Sequence, residues 1–69
     1  MENENWVKVF SSNQEYLVEI TKSILQDEDI DAVIINKKDS AYLFGECELY
    51  VEKENALVAL NLISKIESE

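Results

Sequence analysis

Cys47-Glu48-Leu49-Tyr50-Val51-Glu52 divides into two alternating sets, Cys47, Leu49 and Val51 against Glu48, Tyr50 and Glu52. Successive side chains of a β-strand point to opposite faces, so this segment reads as a half-buried strand with the first set in the core. The second set lies on the far side of the sheet.

Immediately upstream, residues 37–46 form the one connection of any length. It has a polar half, Lys37-Lys38-Asp39-Ser40, and an apolar half, Ala41-Tyr42-Leu43-Phe44, before the only glycine, Gly45. Before that connection, the β-branched run Val33-Ile34-Ile35 predicts a strand over residues 31–37. An apolar run of this kind does not reveal which of its faces is inside. Farther upstream, residues 6–11 alternate again, with Val7 and Val9 on one side and Trp6, Lys8 and Phe10 on the other. An unpaired ammonium is costly to bury, so Lys8 should face outward and Val7 and Val9 inward. Trp6 and Phe10 are then expected to share the outer face.

Two helices complete the chain. Ser12-Asn13-Gln14-Glu15 has the Ser-x-x-Glu form of a capping box. Leu17, Ile20, Ile24 and Leu25 follow at helical spacing, giving an amphipathic helix of about four turns. The acidic run Gln26-Asp27-Glu28-Asp29 ends it without a glycine, and its carboxylates oppose the negative end of the helix dipole. From Glu54 to Ile66, Ala56, Ala59, Leu60, Ile63 and Ile66 form a second stripe, broadened by Leu57, Val58 and Leu62. So wide an arc predicts deep burial.

The order strand, helix, strand, strand, helix requires a right-handed crossover followed by a hairpin that can place the third strand between the first two. The expected fold is α+β, a ferredoxin-like βαββα unit without a fourth strand. Its three-stranded antiparallel sheet has the order 1-3-2, with both helices on the face of Val9, Leu49 and Val51. Residues 1–5 are expected to be a disordered tail and residues 6–69 a single domain, for which the core supplies only thin net stability.

Six lysines, no arginine or histidine, and fifteen carboxylates give a formal charge of −9. Such a chain repels phosphate backbones and anionic lipid, which argues against nucleic acid or membrane as a partner. Cys47 is the only cysteine. No internal disulfide can form, and with a polar start and no long apolar run the expected location is cytoplasmic.

A bare sheet face holding Trp6, Phe10 and Tyr50, with at least one residue of the Val33 run, is too apolar for solvent. The loop aromatics Tyr42 and Phe44 would either join that patch or cover it. The reading that follows is a non-catalytic module whose face binds a protein partner or a second copy. The alternative is a small-metabolite sensor in which Asn36, Lys37, Lys38, Asp39 and Ser40 hold an anion. Asp27, Asp29 and Asp31 have the opening spacing of a calcium loop, but Ala32 stands where its glycine belongs and Lys38 where its bidentate glutamate belongs. Cys47, in register with Leu49 and Val51, reads as a buried structural thiol without a histidine to activate it. No catalytic residue, metal or cofactor is expected.

Ala32-Val33-Ile34-Ile35-Asn36-Lys37-Lys38-Asp39-Ser40, then Tyr42, Phe44-Gly45 and Glu48-Leu49-Tyr50-Val51, together with the opening Trp6-Val7-Lys8-Val9-Phe10, resemble the bacterial family of putative prokaryotic signal-transducing proteins. The resemblance covers nearly the whole chain. It implies a ferredoxin-like fold related to the nitrogen-regulatory PII proteins, with a regulatory or ligand-sensing role. Such proteins often carry Asn-Gly where this chain has Glu28-Asp29, so Asp29 is expected either to hold a left-handed conformation at about 1 kcal/mol or to end the helix differently. PII proteins bind nucleotide partly through long loops and basic residues that are sparse here, and ATP binding is not carried across.

Overall fold

The computed structural model describes residues 5–37 and 46–67, the side chain of Glu67 apart. Strand β1 spans Trp6–Ser12, helix α1 Glu15–Asp27, strand β2 Ala32–Asn36 and strand β3 Cys47–Glu52. A single 3₁₀ turn, Lys53–Asn55, leads into helix α2, Ala56–Glu67. The sheet order is β1-β3-β2, with β3 antiparallel to both neighbours. This is the βαββα arrangement expected from the sequence.

The central strand organises the core as its alternation predicts. Cys47, Leu49 and Val51 are fully buried and join Val18 and Leu25 of α1 and Ala59 and Ile63 of α2 in one cluster. Both helices therefore cover the same sheet face. The opposite face, carrying Glu48, Tyr50 and Glu52, has no helix over it among the described residues.

Helix α1 differs in detail from its sequence reading. Its N-cap is Gln14, without a side-chain cap. The Ser12 hydroxyl accepts the Gln14 backbone N–H at 3.0 Å, two residues on, so the turn it closes precedes the helix and the expected capping box does not form. The buried stripe is Val18, Thr21 and Leu25, while Ile20 points outward. Thr21 can face the core because its hydroxyl donates to the Leu17 carbonyl at 2.8 Å and leaves no polar atom unpaired.

The end of α1 resolves the Asp29 question. Asp29 has φ 65°, in the left-handed region. Its N–H donates to the Gln26 carbonyl at 2.9 Å and the Ile30 N–H to the Leu25 carbonyl at 3.0 Å. These are the two bonds of a Schellman motif, and buried Ile30 and Leu25 supply the apolar contact that accompanies it.

Two further expectations are corrected. In β1 the register passes from Lys8 opposite Tyr50 to Phe10 opposite Leu49, leaving Val9 as an extra, bulged residue. A bulge resets the alternation beyond it, so Phe10 turns to the helix side and packs against the core cluster, not beside Trp6. In α2 the broad apolar arc is not deeply buried. Ala59 and Ile63 face the sheet, but Leu57 is 81% exposed and Val58 and Leu60 are also largely open. A helix lying on a three-stranded sheet covers one stripe of itself, and the remainder of the arc faces outward.

Candidate functional site: the open sheet face

Register with β3 settles the faces of β2. Val33 pairs with Tyr50 and Ile35 with Glu48, whereas Ile34 pairs with Leu49 and packs on the core. Val33 and Ile35 thus stand on the open face, 43% and 37% exposed. From β1 the same face receives Trp6, opposite Glu52, and Lys8, opposite Tyr50. Trp6, Val33, Ile35 and Tyr50 line an open groove of about 250 Å³.

Beside this apolar floor is a small charge network centred on Glu48. The Tyr50 hydroxyl donates to Glu48 Oε1 at 2.9 Å. Lys37 Nζ lies 3.7 Å from Oε1 and Lys8 Nζ 3.6 Å from Oε2. The Glu48 side chain is only 16% exposed, while both lysines are about half exposed. The Tyr50 hydrogen bond, and then the charges of Lys37 and Lys8, hold the Glu48 carboxyl below its ordinary value against the opposing pull of desolvation. The same hydrogen bond raises the Tyr50 phenol above its own. Tyr50 is thereby fixed in orientation on the groove floor, and two ammonium groups share one carboxylate at its border.

A larger depression of about 590 Å³ is lined by Asn5, Glu52, Lys53 and Glu54. It sits where the chain enters β1 and leaves β3, bound together by the Lys53 N–H on the Asn5 carbonyl at 2.7 Å. Its mostly charged walls come from the end of β3 and the turns beside it, whereas the smaller groove is built by side chains projecting from three paired strands. The groove is the better formed site.

Of the residues predicted for partner binding, the structure brings Trp6 and Tyr50 together and removes Phe10 to the core side. Tyr42 and Phe44 lie outside the described residues, as do Lys38, Asp39 and Ser40 of the anion reading. Asn36 ends β2, and Lys37 joins the Glu48 network. The sequence turns Lys8 outward but by itself gives neither Lys8 nor Glu48 a role in a site, although the spacing Glu48-x-Tyr50 on one strand face is a legible signal. Cys47 is fully buried. Among the described residues no group of three or more His, Cys, Asp or Glu side chains is placed to hold a metal ion. No helix among them is long and apolar enough to cross a membrane.

A family profile described as putative prokaryotic signal transducing protein matches residues 6–67. No curated protein and no solved structure matches the chain. The chain belongs to that family.

Proposed function

We propose that this chain is a non-catalytic regulatory module of a signalling pathway that docks a partner protein on its open sheet face. The observation that carries the reading is the groove of Trp6, Val33, Ile35 and Tyr50, apolar at its floor and open to solvent. Tryptophan and tyrosine dominate binding energy where they sit in a desolvated centre ringed by polar groups. Here the ring is supplied by Lys8 and Lys37, two of only six lysines in a chain of charge −9. A partner surface with an apolar centre and carboxylates at its border fits this arrangement in both shape and charge.

The test is a binding isotherm of partner captured by the wild-type chain, read by the fluorescence of Trp6, the single tryptophan. Tyr50→Ala should weaken binding by about thirtyfold, a loss of about 2 kcal/mol. Trp6→Ala, followed calorimetrically, should do the same. Unchanged affinity in both variants would refute the proposal. The anion-sensor reading has less behind it, because of its five residues only Asn36 and Lys37 lie among the described ones.

A further inference from the structure

Strand β2 is an edge of the sheet, without a strand neighbour on its outer side among the described residues. The Lys37 N–H donates to the Glu46 carbonyl at 3.0 Å, continuing the β2–β3 ladder by one rung. Since hydrogen-bonded and non-hydrogen-bonded pairs alternate in an antiparallel ladder, Val33 and Ile35 direct their backbone groups toward β3, and Ala32 and Ile34 direct theirs outward. The other edge strand, β1, is interrupted by the bulge at Val9 and carries Lys8, two devices that discourage pairing. Strand β2 has neither a bulge nor a charge within its five residues, Ala32–Asn36.

We infer that β2 is the site at which a second copy of this chain adds, antiparallel and centred on Ile34, to make one continuous six-stranded sheet. A two-fold axis at Ile34 places the outward-directed backbone groups of Ile34 opposite those of its own mate. It also sets Val33 opposite Ile35 of the second copy on the open face, in the closer, non-hydrogen-bonded type of pair. In the same register Asp31 of each copy stands opposite Lys37 of the other. Asp31 and Lys37 are exposed and share the strand parity of Val33 and Ile35. The segment from Asp31 to Lys37 is therefore self-complementary in charge when reversed against itself, with opposite charges at its ends and an uncharged centre.

This feature selects a second copy over an unrelated strand, and within residues 31–37 it lets two copies of a chain of charge −9 meet with no carboxylate opposite another. The apolar grooves of the two copies adjoin across the new pair, because Val33 and Ile35 line them. A dimer so formed presents two partner sites on one surface. The inference does not depend on what occupies those sites, since Trp6 and Tyr50 lie away from the pairing edge.

Sedimentation equilibrium of the full chain tests it, together with charge reversal. Wild type is expected to dimerise, with amide exchange of Ala32 and Ile34 slowing as concentration rises. Asp31→Lys and Lys37→Asp should each weaken self-association by about tenfold or more, because each opposed pair occurs twice. An equimolar mixture of the two variants should recover the dimer, since both opposed pairs of the mixed dimer then set a lysine against an aspartate. Circular dichroism establishes that each variant is folded; if either is not, the concentration dependence of the wild-type amides decides. A wild type that stays monomeric to millimolar concentration would overturn the inference. So would a dimer whose Ala32 and Ile34 amides exchange at an unchanged rate, or folded variants whose mixture does not associate.

Discussion

At the scale of the residue, one backbone strain and one polar device among the described residues bear on the chain's use. Asp29 holds a left-handed φ of 65° at the end of α1, where glycine has no steric penalty and where a carboxylate opposes the helix dipole. Asp29→Gly should stabilise the domain by about 1 kcal/mol, raising the thermal midpoint by about 4–8 °C in a calorimetric scan. An unchanged or lower midpoint would show that aspartate is not strained there. Glu48 makes the second prediction. Its folded-state value lies below the ordinary 4.5, so the stabilisation it provides is present above that value and is lost as pH falls through the folded one. Tyr50 is raised above 10.0, so its share is present below that value and is lost as pH rises through the folded one. The stability difference between wild type and Glu48→Gln, from urea titrations at a series of pH values, should therefore be flat across neutrality and shrink in acid. A difference that grows in acid would contradict the network. The sequence announced the strain at Asp29, through a missing glycine at a helix end, more clearly than it announced Glu48, whose partners come from β1, from β3 and from the residue just past β2.

At the scale of the element, what was legible depended on whether the backbone kept a regular period. Strand β3 does, and its two faces could be assigned from alternation alone. Strand β1 does not, and no glycine or proline marks the bulge at Val9, so alternation alone puts Phe10 on the wrong face. The faces of β2 depend on register with β3, a relation between strands that an apolar run does not encode. In α1 the buried stripe lies about one position on from Leu17, Ile20 and Ile24, because a helical threonine such as Thr21 can satisfy its hydroxyl within its own backbone and so face the core. The corrected stripe has a direct consequence. Leu25→Ala should cost about 2–5 kcal/mol through the cavity it leaves. Ile20→Ala, on the exposed side of the same helix, should change stability by no more than about 0.5 kcal/mol. Equal losses in a denaturant titration of the two variants would restore the stripe read from sequence.

At the scale of the whole molecule, the sheet divides a small acidic chain into two surfaces of different character. The helix side buries the core, yet α2 still presents Leu57, Val58 and Leu60 outward. The open side presents an oriented tyrosine, a tryptophan and two lysines sharing a carboxylate. With fifteen carboxylates against six lysines, self-repulsion opposes the compact state, and moderate salt should raise the thermal midpoint by screening it. The βαββα order, the strand order and the presence of Trp6 and Tyr50 on the bare face all followed from patterning, because each rests on short-range periodicity and on chain connectivity. The contribution of Val33, Ile35 and the Glu48 network did not, because it needs strands brought together in register. The most direct measurement is an amide chemical-shift titration of the labelled chain with its partner. Perturbations gathered on Trp6, Lys8, Val33, Ile35 and Tyr50, with α2 unmoved, are the predicted result. Perturbations gathered on Leu57, Val58 and Leu60, with the sheet face unmoved, would contradict it.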